Sequence, residues 1–440
     1  MNMSVPAREL AGMSSWPAYP IAAVRDPRTT RVVALLVALP LFFSVARYIP
    51  ALKWSLELGI LLSVGAALLS NAGGRPATRS TFNVYIMLTA FGLPLLGAFA
   101  AYLAFDQPMV YGLAAQRGGL LALFAYAVGN LIGNGRLTFA EFERAFIILA
   151  WLNLAICAPV LMLLDPNNYS ELGSLVSDGG GVFNEFHLPM SFIIFGALYY
   201  IGMWMLSDRA RYGLLAAPFI LYIVAGNNGR IVNIALAVTL LTIAWIGSPR
   251  KRVKNISAAL ALAIGVVLVV GIINPDKIGS MILKYQDAFA AVSGAYDVAD
   301  VSANARIIQS ELVWPYIYSS PIIGTGVVSN EWNGGYQQMF GYFHPSDLGM
   351  IGVLFVYGIV GVLFFSVQYL VFARIAPVVS YMADKVPYNA LLLALFANLL
   401  FVLFSSVVTG TFILVPEQTL FFFAMIIAQA RQNHVMAAAR

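Results

Sequence analysis

Twelve long apolar runs, separated mostly by short polar segments, constrain this chain more than any motif in it. They lie near 32–49, 53–70, 82–105, 118–134, 145–164, 187–206, 213–226, 231–247, 256–273, 349–372, 388–407 and 412–430. Most approach the roughly 20 residues that a helix needs to cross a hydrocarbon core about 30 Å thick. None has the alternating pattern of an outer-membrane strand. Charged residues make up 10% of the 440 and hydrophobic ones 60%, so a water-soluble globule of this length could not cover its apolar surface. A bilayer can, provided every backbone polar group is satisfied within the protein, and for runs of this kind that means helices. The expected fold is all-α: a polytopic integral membrane protein with about 12 transmembrane helices.

Charge sets the expected orientation. With the N-terminus inside, 18 of the 25 Lys and Arg residues fall on inner segments, most densely at Arg250-Lys251-Arg252-Val253-Lys254. Basic residues close to span ends are those retained in the cytoplasm, so the reading is N-in and C-in. The organisation expected is a cytoplasmic tail over 1–30, transmembrane helices 1–9 over 31–273, a large outer loop over 274–348, helices 10–12 over 349–430, and a cytoplasmic tail over 431–440. The net charge of +5 then reflects topology, and no nucleic-acid partner is expected. The first 30 or so residues are polar and basic, and the first span reads as an uncleaved signal. Cys157 is the sole cysteine, which rules out an internal disulfide.

Two outer segments are long. Residues 165–186 carry Asp165, Glu171, Asp178 and Glu185 with no basic residue. Residues 274–348 are expected to be the only part large enough to build structure outside the membrane. Within them, 302–314 reads as a capped amphipathic helix lying along the interface, broken by Pro315 and Pro321. Gly324-Thr325-Gly326 reads as a turn.

Four polar residues gather at outer span ends on this topology: His187, Arg230, Arg306 and His344. Each has a plain reading beside the functional one. Arg230 opens the eighth span and could simply snorkel to the interface. Yet Gly226-Asn227-Asn228-Gly229 before it makes a turn rich in backbone donors at a helix N-terminus, and such a site favours anions. Arg306 touches either lipid headgroups or a bound anion; two converging arginines hold a diphosphate in multidentate fashion. His344 is an interfacial histidine or a proton acceptor, with Asp347 close enough to orient it if the chain turns at Pro345. His187, following Asn184-Glu185-Phe186, is structural or touches substrate, with Glu185 and Asn228 in the same supporting class. There is no Asp-x-Asp, no zinc-like spacing, no phosphate-binding Walker loop and no Gly-x-Ser-x-Gly elbow. No metal ligand set and no cofactor are expected. Acids within the runs are few, chiefly Glu57 and Glu417.

Gly226-Asn-Asn-Gly-Arg230 at the head of an apolar span resembles the Ser-Arg-Gly-type signature of the O-antigen ligase and O-antigen polymerase family. Ala305-Arg306 with Trp314, then Ser320-Pro321-Ile-Ile-Gly324-Thr-Gly326, is similar to that family's pattern ahead of its loop. His344, followed by Leu348-Gly349-Met-Ile-Gly352 and Tyr357-Gly358-Ile-Val-Gly361, resembles its histidine motif running into a Gly-rich span. The resemblance covers roughly 180–365. It departs at Pro345, where members often have Asn.

What the resemblance implies is a metal-independent, inverting glycosyltransferase of the bacterial inner membrane, with its active site facing the periplasm. The donor would be a glycan on undecaprenyl diphosphate. The acceptor would be a second lipid-linked repeat unit for a polymerase, or lipid A–core for a ligase. Arg230 and Arg306 would clamp the diphosphate leaving group, and His344 would act as general base or position the acceptor. Tyr316, Tyr318, Trp332, Tyr336, Phe340, Tyr342 and Phe343 would supply sugar-stacking faces. A chain-length regulator or another envelope-assembly protein would be a natural partner. The preferred reading is the polymerase, because the stretch from Arg306 to His344 is compact for docking a lipopolysaccharide core. The competing class is a lipid-linked oligosaccharide flippase, which would line a central cavity with charge.

Overall fold

The structure, a computed structural model, describes residues 28–45, 54–72, 81–164, 173–178, 181–186, 188–226, 230–246, 251–273, 301–341, 343–385 and 390–438, with isolated positions between 274 and 300. Helices occupy every one of the twelve apolar runs. In chain order they are α1 (Thr29–Phe42), α2 (Ser55–Asn71), α3 (Thr81–Phe105, with a π-helical turn at Leu88–Gly92), the short α4 (Met109–Ala115), α5 (Ala122–Gly133), α6 (Phe139–Leu163), α7 (Ser191–Ser207), α8 (Ala210–Gly226), α9 (Arg230–Ile246) and α10 (Arg252–Ile273). Then follow α11 (Val301–Ser319), the short α12 (Gly335–Phe340), α13 (Gly349–Lys385), α14 (Ala390–Ser406), the short α15 (Thr411–Leu414) and α16 (Pro416–Ala438). Among the described residues, four helical stretches are long and apolar enough to cross a membrane: Thr81–Phe105, Phe139–Leu163, Arg252–Ile272 and Pro345–Tyr381. With the shorter apolar helices around them they make the chain a helical membrane protein.

Two helices are apolar all round and sit inside the bundle. Residues Phe192–Gly202 of α7 and Ala390–Leu399 of α14 are buried on every face. α14 packs against α7, α9, α13 and α16, and α5 packs against α2 and α16. A run of phenylalanines fills the space between α1, α5, α6, α7 and α16, with Phe43 edge-on to Phe192 at 5.3 Å, Phe124 stacked on Phe421 at 6.1 Å and Phe146 stacked on Phe195 at 4.4 Å.

Two expectations need correction. The 274–348 segment is not alone in building structure outside the apolar runs. β1 (Gly173–Asp178) and β2 (Gly181–Phe186) form an antiparallel hairpin with Gly173 opposite Phe186 and Asp178 opposite Gly181, so the fold is helical with one hairpin added. Next, Pro315 does not break α11, which continues to Ser319. The helical partner that proline leaves unbonded is the carbonyl of Glu311, four residues back, and both residues lie on the exposed face. The Gly324-Thr325-Gly326 turn lies inside the protein. All three residues are buried, and they cross a break in α13.

That break is at Gly358, whose backbone is non-helical (φ 62°, ψ −161°), about 13 Å along the helix from Gly349. Irregular backbone at such depth in an apolar bundle survives only where protein satisfies it. Here residues 321–326 do so. The Thr325 and Gly326 N–H groups donate to the Phe355 and Val356 carbonyls at 2.8 Å each, while the Ile359 and Val360 N–H groups donate to the Pro321 and Ile322 carbonyls at 2.9 and 3.1 Å. The approach is close enough to need glycine. A Cβ at Gly324 would lie 2.5 Å from the Val356 carbonyl carbon, one at Gly326 2.2 Å from Ala101 N, and one at Gly358 2.3 Å from Ile322 O. From the other side, buried Gln107 straps the segment down. Its Nε2 donates to Val327 O (3.1 Å) and its Oε1 accepts from Ser329 N–H (2.8 Å).

At the opposite end, the Asp208 carboxylate between α7 and α8 accepts from Lys251 Nζ at 2.5 Å and Lys254 Nζ at 2.7 Å. The Lys251 and then the Lys254 hydrogen bond hold it below the usual carboxylate range. With its side chain more than a third exposed, the tie is weak and screened by salt.

Two stability measurements follow. In detergent, Gly326→Ala should sharply lower folded yield and Tm, since the methyl has no space and φ is +81°. Gly129→Ala, with nothing within 4 Å of the new methyl, should leave Tm unchanged or slightly raised. For Asp208 a depressed folded value means the contribution is present above the ordinary carboxylate range and lost as pH falls through that value. Asp208→Asn should therefore cost a little Tm at neutral pH and low salt, and the difference from wild type should vanish in strong acid and in high salt.

Candidate functional site

The site is built on α11 and on the link between α12 and α13. Along α11 the inward stripe is Gln309, Val313 and Ile317, all buried, while Ile308, Trp314 and Tyr318 are exposed. Arg306 stands one turn before Gln309 and seven residues before Val313, which places it on the inward stripe. This geometry disfavours a role confined to lipid headgroups. The guanidinium is half-buried and pairs with no described residue.

His344 meets that stripe. Its backbone N–H donates a long hydrogen bond, 3.5 Å, to Gln309 Oε1. Its ring Nε2 lies 3.1 Å from Nε2 of Gln337 on α12. The flanking residues are anchors: Phe343 is 1% exposed, and Pro345 is buried at the first position of a 3-10 helix, Pro345–Leu348. Gly349 then turns the chain at φ +55°, its α-carbon packed onto the Val407 carbonyl, and the Met350 N–H donates to that carbonyl at 3.2 Å. A Cβ at Gly410 would lie 2.2 Å from Ser346 Cα. The histidine is therefore held on packed backbone at both sides. Pro345, the departure from the resembled pattern, fits: a proline at a helix's first position loses no needed donor.

Asp347 lies one 3-10 turn after His344, and its N–H donates to the His344 carbonyl at 2.9 Å. The chain does turn at Pro345, as the spacing predicts. Arg230 is the first residue of α9; its side chain lies outside the described residues, as do Asn228 and His187. Glu185 is paired through its backbone with Ser174 in the hairpin, its side chain likewise outside. The hairpin approaches α11 through β1. Of the residues singled out from sequence, the structure joins His344 through Gln309 to the α11 stripe that carries Arg306, and sets Asp347 one turn after the histidine.

The aromatic expectation is corrected in part. Tyr316, Tyr336, Phe340, Phe343, Phe105 and Phe355 contact one another as a packed cluster, with ring centroids 5.2–6.4 Å apart. They form the floor under the histidine. The Tyr336 hydroxyl donates to Gly326 O, and burial pushes that phenol up, which keeps it a donor. Of the six that are described, Tyr318 is the most open, 75% exposed and stacked on Trp314. Tyr342 lies outside the described residues.

Sequence reasoning missed Gln309 and Gln337. The signal for Gln309 was its place one helical turn after Arg306. Gln337 had none, since only the fold sets α12 beside His344.

In comparisons with known proteins, no family model, no curated protein and no solved structure matches the chain.

A binding test isolates Arg306. If its half-buried guanidinium receives an anion, Arg306→Ala should weaken binding of undecaprenyl diphosphate about tenfold or more with Tm of the unliganded protein unchanged. Arg306→Lys should recover only part of the loss. A fall in Tm with unchanged affinity would assign Arg306 to packing.

Proposed function

We propose that this protein is a glycosyltransferase that polymerises undecaprenyl-diphosphate-linked oligosaccharide repeat units into a surface polysaccharide. On this reading it spans the bacterial inner membrane twelve times, N-in and C-in, with the His344 end facing the periplasm. The distribution of basic residues supports that orientation, and the Arg250–Lys254 stretch would then be cytoplasmic. The observation that carries the reading is the meeting of His344 with the inward stripe of α11, one turn from a half-buried arginine that has no partner among the described residues.

The chemistry follows from those groups. The donor's lipid tail lies against the exposed apolar faces of the helices. Arg306, with Arg230 at the N-terminus of α9, neutralises the charge that grows on the departing diphosphate. An acceptor hydroxyl attacks the anomeric carbon in line, giving its proton to His344 Nε2 as the new C–O bond forms. The bond from that carbon to the phosphate oxygen breaks, its electron pair leaving with undecaprenyl diphosphate. The anomeric configuration inverts. Neither metal nor cofactor enters the proposed step.

A second reading, a lipid-linked oligosaccharide flippase, is favoured by one observation: the interruption of α13 at Gly358, since discontinuous helices are common at transporter midplanes. Against it, the freed backbone groups at that break are taken up by residues 321–326 rather than left for a cargo.

The test uses purified protein in nanodiscs with a lipid-linked repeat unit and a metal chelator, following glycan length and release of undecaprenyl diphosphate. A ladder of longer glycans, reduced at least a hundredfold in Arg230→Ala, Arg306→Ala and His344→Ala proteins of normal Tm, is the expected result. Turnover only after addition of lipid A–core would make the protein a ligase. Lipid translocation in proteoliposomes without turnover on either acceptor would replace the enzyme reading by the flippase.

A further inference from the structure

Against the Nε2 nitrogen of His344 stands the side chain of Gln337, a residue no motif singled out. Gln337 sits on α12, whose ends carry Gly334, Gly335 and Gly341 at φ between +70° and +73°. The helix itself does not swing. Tyr336 is 8% exposed and hydrogen-bonded to Gly326 O, and Phe340 packs on Tyr316 and Phe343. Gln337 is exposed, so its side chain is free to turn on a fixed backbone.

A carboxamide nitrogen has hydrogens to give and no lone pair to accept with. Its 3.1 Å contact with His344 Nε2 is therefore a donation into that nitrogen's lone pair. With the amide in this orientation, the contact favours the tautomer with Nδ1 protonated and Nε2 bare. It is also the form needed by a base that takes a proton at Nε2.

We propose that Gln337 is the positioning residue of His344 and the first contact of the acceptor sugar. Before substrate arrives, its amide N–H occupies the place on Nε2 that the acceptor hydroxyl will take. The hydroxyl displaces it, donates to Nε2 in its stead and gives up its proton there as the C–O bond forms. The released carboxamide then hydrogen-bonds a neighbouring hydroxyl of the same sugar. Once Nε2 carries the proton, the amide can return with its oxygen accepting from Nε2–H after a half-turn about χ3. Glutamine thus serves both states of the ring. A glutamate here would favour the protonated ring and remove the base. Among the described residues, the charged groups on the two elements next to His344 are Arg306 and Glu311 on α11 and Asp347 on the 3-10 helix, and all are unchanged in the variants below.

The acceptor role rests on the glycosyltransferase reading; the tautomer does not, and the experiment separates the two. The chain has three histidines, so protein labelled with ¹⁵N-histidine gives an imidazole spectrum assignable by His344→Ala. In wild type, above the ring's titration, Nε2 of His344 should carry the signal of a bare nitrogen. In Gln337→Met, which keeps the length and removes the amide, that signal should move toward protonated Nε2. In Gln337→Glu the added carboxylate favours the protonated ring, and both ring nitrogens of His344 should move toward the imidazolium signal at neutral pH. With the repeat-unit donor, Gln337→Met should lose about fivefold in kcat and raise the acceptor KM with the donor KM unchanged. The acid limb of the Gln337→Glu rate profile should move to higher pH in step with that protonation. Identical tautomers in wild type and Gln337→Met overturn the inference while leaving the proposed activity intact. The predicted spectra without any glycosyl transfer overturn the proposed activity and, with it, the acceptor role.

Discussion

The exchange of backbone hydrogen bonds between residues 321–326 and the break at Gly358 is the constraint on which the rest of this end of the molecule depends. An apolar bundle offers no water to an interrupted helix, so each freed carbonyl and amide must find a partner in protein. The Phe355 and Val356 carbonyls and the Ile359 and Val360 amides find theirs in one segment of chain, approached so closely that side chains are excluded on both sides. That segment leads out of α11 and into α12, while α13 leads out of the His344 turn. Closing one exchange therefore sets α11, α12 and the histidine in a common frame.

The proposed chemistry uses that frame twice. The frame turns the Arg306–Gln309 stripe of α11 inward to meet the His344 backbone, and it sets Gln337 against the ring from the opposite flank. The aromatic cluster beneath keeps the floor dry and rigid. Four of its members, Tyr316, Tyr336, Phe340 and Phe343, were candidates for gripping sugars and are committed instead to packing within the cluster. What stands near the histidine beyond that floor is polar: exposed Gln337 against the ring, Asp347 one turn on, and half-buried Arg306 on the α11 stripe that buried Gln309 joins to the His344 backbone. Such a set suits a charged leaving group and a hydroxyl acceptor.

Much of the fold was legible because hydrophobicity in a membrane protein is a local signal. The twelve apolar runs are helices, and within them Phe192–Gly202 of α7 and Ala390–Leu399 of α14 are buried on every face. Arg306 and His344 were legible through scarcity, since an arginine or histidine near an apolar span has few reasons to be there. The features that were not legible depend on partners far away in the chain. Gly358 reads as one more glycine in a Gly-rich helix, and only the approach of Ile322 and Gly324, more than 30 residues earlier, makes it a break. Pro315 reads as a stop, yet the carbonyl it leaves unpaired is on the exposed face and α11 runs on. Gln337 reads as an ordinary polar residue in Gly334-Gly335-Tyr336-Gln337-Gln338, because an amide acquires meaning only from what it faces.

The central claim is that one anionic ligand is held between α9 and α11 with His344 at its reacting side. A cryo-EM map of the protein in nanodiscs with undecaprenyl diphosphate tests it most directly. The diphosphate is expected within hydrogen-bond reach of both the Arg230 and Arg306 guanidinium groups, with the His344 ring facing the terminal phosphate. A diphosphate bound at the Asp208–Lys251 end, or arginines too far apart to share one ligand, would contradict that claim.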